Sequence, residues 1–339
     1  MRHHILPTLA ALLLLPLIVL NLFSGTVSIP APEVISILLG NEASHTAWTY
    51  IVLEGRLPSA LTAALCGAAL SAAGLLLQTT FRNPLAGPSI LGVTNGASLG
   101  VGIVMLLLGG TVQTTLMGTH LHLAGILATT SAALLGSLLI IALLLLLSSL
   151  VRDNLMLLIV GIMVGYLTSS LISLLNLFAT SDNLFTYVLW GMGSFSGVSL
   201  RQLPYFAAPV LSALCASLLL IKPLNALLLG DAYAENLGFS LRRMRTLLLC
   251  TTGLLTAAAT AFCGPVAFLG LATPHIARLL CNTDDHRILL PTTIIAGSDI
   301  ALLCNLLCQL PPETILPLNA VTPLIGAPVI LYVILCRRR

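Results

Sequence analysis

Long stretches of this chain carry no acid or base. Runs free of Asp, Glu, Lys and Arg cover residues 5–32, 57–81, 83–151, 154–181, 183–200, 202–221, 246–277 and 314–336. A helix needs about 20 apolar residues to cross a hydrocarbon core. The 83–151 run is broken by Gly109-Gly110 and by the polar stretch at His120 and His122, so it holds two spans. The region 288–312 contains one acid, Asp299, and reads as a further span. The pattern predicts helices near 5–23, 59–80, 90–108, 124–148, 155–178, 203–221, 246–263, 267–281, 288–309 and 317–336, ten in all. The eighth is short and contains Pro274. Residues 5–23 follow Arg2 as a signal peptide would, but the run is long enough to span and no A-x-A site follows, so it reads as a retained first helix.

Composition agrees with a chain built for lipid. Of the 339 residues, 58% are apolar and 7% charged, where soluble domains carry about 25% charged residues. That excludes a soluble enzyme, a disordered chain and a nucleic-acid binder with a basic face. Ten spans put both termini on one side. Arg2, Arg82, Arg152, Lys222, Arg242, Arg243, Arg245, Arg278, Arg287, Arg337, Arg338 and Arg339 then share that side, and only Arg56 and Arg201 face the other. The positive-inside rule makes the shared side cytoplasmic. The fold class expected is an all-α polytopic membrane protein, one domain over residues 1–339, with its longest polar inner segment at 222–243.

The chain has no GxxxxGK[ST] loop, no HExxH and no GxSxG with partners, and its single lysine, Lys222, sits in no glycine-rich turn. Nothing here can cradle nucleotide phosphates, and no enzymatic centre is visible. Carriers that run on an ion gradient keep several ionisable groups at mid-membrane, and only Asp299 qualifies. An ion-gradient-driven secondary transporter is therefore the alternative reading, and a channel-former powered from elsewhere the preferred one. Cys66, Cys215, Cys250, Cys263, Cys304 and Cys308 lie in apolar runs without a CxxC, as small hydrophobes rather than disulfides or metal ligands. No metal site and no bound cofactor are expected.

Four local patterns carry candidate chemistry. In 222–245, Gly230 divides two short helices, Asp231 and Glu235 fall in the first turns of the second, and Gly238 is placed to end it. Ser240 is placed to cap the following span, beside Arg242, Arg243 and Arg245. Two short helices outside the bilayer are either a docking surface or an amphipathic connector in the interface. The run Arg82-Asn83-Pro84-Leu85-Ala86-Gly87-Pro88 is a fixed turn. In the fifth span Gly161, Gly165, Ser169 and Ser173 recur every four residues, a stripe for close helix packing or for lining a path. His275 has no second ligand at i+4 and reads as bonding backbone rather than metal, while Arg278 anchors to headgroups or a partner. Residues 179–202, with Tyr187 and Trp190, are too polar to span and suit the interface.

The segment GDAYAENLGFSLRRMR (230–245) resembles the coupling segment of permease subunits in the iron–siderophore, haem and vitamin B12 family of ABC importers. So do RLPSALTAALCGAALSAAGLLLQTTFRNPLAGPSILGVTNGASLG (56–100), GPVAFLGLATPHIARLL (264–280) and LPLNAVTPLIGAP (316–328), in family order. The resemblance implies a type II ABC importer permease that works as a homodimer or pseudo-dimer in the cell inner membrane. Two cytoplasmic ATPase subunits below it use ATP, and a periplasmic substrate-binding protein docks above. It implies gate residues at Asn83, Pro84 and Leu85, and path-lining at Gly161, Gly165, Ser169 and Ser173. ATPase coupling falls to Gly230, Asp231, Ala234, Glu235, Leu237 and Gly238. Docking of the binding protein falls to Arg56, with Arg201 as a second candidate. The chain departs from the family pattern at Ser59 and Gln309, where arginines are common, and at Asn305 and Ile315, where acids are common.

Overall fold

The computed structural model describes residues 2–41, 44–107, 121–151, 154–310 and 316–336. The expectations at Gly109-Gly110, His120, Arg152, Ile315 and Arg337 to Arg339 lie outside these residues, as do those for the side chains of Arg2 and His122. Among the described residues the chain is helical, without strands. In order the helices are α1 (Arg2–Phe23), α2 (Ala31–Leu38), α3 (Thr46–Tyr50), α4 (Leu57–Thr80), α5 (Val93–Gly102), α6 (Leu121–Leu150), α7 (Asn154–Phe178), α8 (Ser181–Gly191), α9 (Leu203–Leu219), α10 (Ile221–Leu228), α11 (Asp231–Asn236), α12 (Leu241–Cys263), α13 (Leu269–Cys281), α14 (His286–Gln309) and α15 (Leu318–Cys336).

Each charge-poor run meets a helix, and three of the expected spans differ, the third reaching only from Val93 to Leu107. The second span begins earlier, because α3 continues through a wide helical turn at Ile51–Arg56 into α4 as one rod, Thr46–Thr80. Glu54 and Arg56 interrupt the apolar pattern and hide that continuation. The eighth is shorter: α13 has 13 residues, about 20 Å at 1.5 Å per residue, and cannot cross a ~30 Å core alone. By length and composition the Thr46–Thr80 rod, α6, α7, α12 and α14 can each cross by themselves, and α9 and α10 form a pair bent by 53°.

The rod is the axis of the bundle. Its α4 portion is buried on nearly every face, against α14, α12 and α13. Small residues set how closely these helices meet, as they do where lipid tails are as apolar as leucine and only packing discriminates. A Cβ at Gly67 would lie 2.1 Å from the Gly297 carbonyl oxygen on α14, and one at Gly74 would lie 1.6 Å from the Gly270 oxygen on α13. At the periphery, α6 and α7 turn outward residues such as Leu135, Leu139, Leu167 and Leu174, as helices facing lipid or a second copy do.

Irregular backbone between helices is held by side chains. Between α12 and α13, Ala267 N–H donates to Asn319 Oδ1 (3.0 Å). The Asn319 amide in turn donates to the carbonyls of Pro265 (2.6 Å) and Gly191 (3.0 Å). One asparagine at the start of α15 thus fastens α8 and the Gly264–Phe268 segment, where water is scarce and each unmade bond is costly. At the end of α1, Arg56 donates to the carbonyls of Leu22, Phe23 and Val27. Asn21, Ser59 and Asn305 form a second buried polar cluster, with Asn305 Nδ2 donating to Asn21 Oδ1 (2.8 Å) and Ser59 Oγ (3.2 Å).

Gly74→Val forces backbone apart at the α4–α13 contact, a cost of about 3 kcal/mol or more. Thermal unfolding in detergent should show it strongly destabilised, whereas Gly55→Val, with nothing within 4 Å of its Cβ position, should unfold near the parent temperature.

Candidate functional site

The polar groups of the bundle concentrate at the end where the bases lie. There α10 buries Leu224, Ala226 and Leu227 and exposes Leu228 and Leu229. Gly230 breaks the helix at φ 121°, ψ 153°, a region open in practice to glycine alone. The helix α11 follows and ends in a Schellman turn. Phe239 N–H donates to the Ala234 carbonyl (3.1 Å) and Gly238 N–H to that of Glu235 (2.9 Å), with Gly238 left-handed at φ 85°. The capping expected of Ser240 is not made: its side chain forms no cap bond to α12. Ala234 is fully buried and seats α11 on the bundle, while Tyr233, Glu235, Leu237 and Gly238 face outward. The segment thus presents one inward anchor, Ala234, and an outward face with an apolar stripe at Leu229, Tyr233 and Leu237.

Asn225 clamps this pair of helices to the bundle. Its amide donates to Asp285 Oδ1 (2.6 Å), and its Oδ1 accepts from the His286 backbone N–H (2.9 Å) and ring Nδ1 (2.8 Å). The backbone donor fixes which end of the Asn225 amide is oxygen, so His286 carries its proton on Nδ1. Its Nε2 then accepts from the Thr79 hydroxyl (2.9 Å) at the end of α4. The Arg287 backbone N–H and the Asn225 amide hold the Asp285 carboxyl below the ordinary carboxylate range. Beside this, Arg278 donates to Gln78 Oε1 (2.7 Å) and pairs with Asp284 (3.4 Å), and Gln78 Nε2 donates to the Leu271 carbonyl (3.2 Å). The expectation that Arg278 reaches headgroups or a partner is corrected: its guanidinium is bound inside the chain.

The loop after α4 touches the same network. The helix closes with Asn83 N–H donating to the Gln78 carbonyl (3.2 Å) and Arg82 N–H to that of Thr79 (3.3 Å), a Schellman turn with Arg82 in the left-handed seat at φ 45°. Glycine fits that seat freely, and a side chain there costs about 1–2 kcal/mol. The Arg82 guanidinium reaches Asp231 on α11 at 2.5 Å. Asn83 Oδ1 accepts from Leu85 N–H (2.9 Å). His275 Nε2 lies 2.8 Å from the Pro84 carbonyl oxygen and donates to it, so this buried histidine binds backbone. Leu85 is left exposed. A cleft of about 600 Å³ opens beside the loop, bounded by Gln78, Arg82, Pro84, Leu228, His275 and Tyr332 among others.

Two other expectations change. Gly161 and Gly165 are buried where α7 meets the start of α5: a Cβ on Gly161 would lie 3.0 Å from Leu91, and Asn95 donates to the Gly165 carbonyl at 3.0 Å. Both pack closely against the segment at the start of α5, as the close-packing reading of the stripe has it. Ser169 and Ser173, further along α7, are exposed. Arg56, expected to meet an incoming acid, is 6% exposed and committed to three carbonyls, so it braces α1 instead. Arg201, between α8 and α9, is exposed. Ser59 and Asn305, at the positions departing from the family pattern, contact each other. Sequence reading missed Asn225, His286, Thr79, Gln78 and Asn319; the polar run Thr283-Asp284-Asp285-His286 beside a span end was the available signal.

The FecCD transport family model matches residues 12–336. The chain is 36% identical over 328 residues to the vitamin B12 import system permease protein BtuC of Klebsiella pneumoniae, covering 96% of this chain and 92% of that one. With the protein of that name from Salmonella paratyphi A it shares 38% identity over 287 residues, 84% of this chain and 83% of the other. A solved inward-facing structure of an ABC transporter of metal-chelate type superposes with a TM-score of 0.83 at 29% identity, covering 97% and 98% of the two chains.

Asn225→Leu keeps volume and leaves the His286 N–H groups without an acceptor, at about 2–4 kcal/mol for two buried donors. Limited proteolysis should cut between α10 and α11 faster in this variant, and its thermal unfolding should begin earlier.

Proposed function

The chain belongs to the FecCD transport family and is a permease of ABC importer type, and from that premise we propose that it carries a metal chelate inward across the cell inner membrane. The cargo class is an iron–siderophore, haem or a cobalamin, supported by relatives named for vitamin B12 import and a structural neighbour of metal-chelate type. Two copies of the chain enclose the path, with the basic end of each in the cytoplasm. Two ATPase subunits grip α10 and α11, and a periplasmic binding protein delivers cargo at the far end, where Arg201 is the exposed base.

The observation that carries this reading is the outward face of α11 joined to the loop at Asn83, Pro84 and Leu85. Leu229, Tyr233 and Leu237 give an apolar patch beside Glu235 at the basic end of the bundle, a surface suited to a protein partner. Force applied there reaches the loop through bonded contacts. Leu85 then acts as the inner gate, and Ser169 and Ser173 line the path. An uncharged lining passes cargo without holding it, since tight binding would slow release.

Reconstituted with its ATPase and binding protein, the complex should hydrolyse ATP faster when one metal chelate is supplied, from a panel of ferric siderophore, haem and cyanocobalamin. Uptake should persist when ion gradients are collapsed with ATP present; uptake that stops then would favour the gradient-driven alternative, with Asp299 as its carboxylate. Glu235→Arg and Gly238→Pro should abolish co-purification of the ATPase while membrane insertion stays normal, and unchanged co-purification in both would refute the docking assignment.

A further inference from the structure

Among the described residues, helix ends use a left-handed residue at Gly40 after α2, Arg82 after α4, Gly193 after α8, Gly238 after α11 and Asn282 after α13. Glycine and asparagine enter that conformation readily; arginine does so against its Cβ. The Arg82 backbone makes only the bonds that any residue in a Schellman turn makes, so glycine would close α4 equally well and without strain. What glycine lacks is the guanidinium, and that group is paired with Asp231 across 149 residues of sequence. The pair joins the loop of Asn83, Pro84 and Leu85 to the first residue of α11, the helix that faces the partner.

We propose that the Arg82–Asp231 pair is the link that carries movement of the coupling helix to the gate loop, and that Arg82 is kept in a strained seat for this purpose. The inference rests on the permease reading and adds a residue-level route to it. The loop has two further fastenings, His275 to the Pro84 carbonyl and Asn83 to Leu85 N–H. Both belong to the loop's own seat on the bundle: neither reaches α11. Asn225 holds α10 to α14 through Asp285 and His286, neither of them a loop residue. Among these contacts only the Arg82–Asp231 pair spans from α11 to the loop. Both partners are partly exposed, with side chains 45% and 37% accessible, so the pair adds little to fold stability. Its effect lies in which positions of α11 and the loop can coexist. Arg82 touches no cargo and is a positioning residue.

The test measures cargo moved per ATP hydrolysed in proteoliposomes containing the full complex. Arg82→Gly should keep or raise the unfolding temperature, because strain is relieved, and retain the ATPase on purification. Cargo per ATP should fall about fivefold, the equivalent of ~1 kcal/mol in a two-state equilibrium. Asp231→Asn should give a similar loss, and Arg82→Asp combined with Asp231→Arg should recover at least half of it. Since exposed pairs are screened by salt, the loss should also appear in the parent protein as ionic strength rises. Parent-like coupling in Arg82→Gly, or a charge swap no better than its single variants, overturns the proposal. Failure of the parent chain to hold any ATPase overturns the permease reading itself, and that result is seen before any variant is made.

Discussion

Backbone groups outside a helix must find partners before a chain can rest in hydrocarbon, because no water is there to take them. This chain meets that demand with a few long polar side chains reaching across helices. Asn319 serves the segment before α13, Arg56 serves the last carbonyls of α1, His275 serves Pro84, and Asn225 serves the start of α14. Each contact satisfies a stray donor or acceptor and also fixes the angle at which two elements meet. The glycine contacts of α4 with α13 and α14 do the remaining positioning by bringing backbones together.

The same constraint explains why the functional elements gather at the basic end. There α4, α13 and α14 finish or begin within reach of one another, and their terminal groups need side-chain partners. The helices α10 and α11 and the loop of Asn83, Pro84 and Leu85 occupy that polar seam, where the Arg82–Asp231 pair joins the loop to α11. The opposite end is built differently, with Asn21, Ser59 and Asn305 neutral and bonded to one another. Arg201 is an exposed base at that end.

The long apolar helices were legible because hydropathy reports burial in lipid directly, and the breaks at Gly230 and Gly238 because glycine is required at the first and favoured at the second. The two short helices on either side of Gly230 and the turn at 82–88 were also legible, through local composition. Hydropathy does not say which face of a helix meets protein, so Gly161 and Gly165 could not be told from path positions. Nor does it distinguish a buried arginine from an exposed one at a span end, and Arg56 was misplaced for that reason. Asn225, His286 and Asn319 act between residues 52 to 207 apart in sequence, and no local pattern encodes such pairings.

The account stands on α11 and the gate loop moving as one body. Spin labels at Ala232 and Leu85, in a cysteine-depleted background, measure this by pulsed electron paramagnetic resonance in the complete complex. The separation between the two labels within a chain should stay constant when ATP binds, while the Leu85 separation between the two copies changes. A gate that opens and closes while the intrachain separation varies freely, or while α11 stays still, would contradict it.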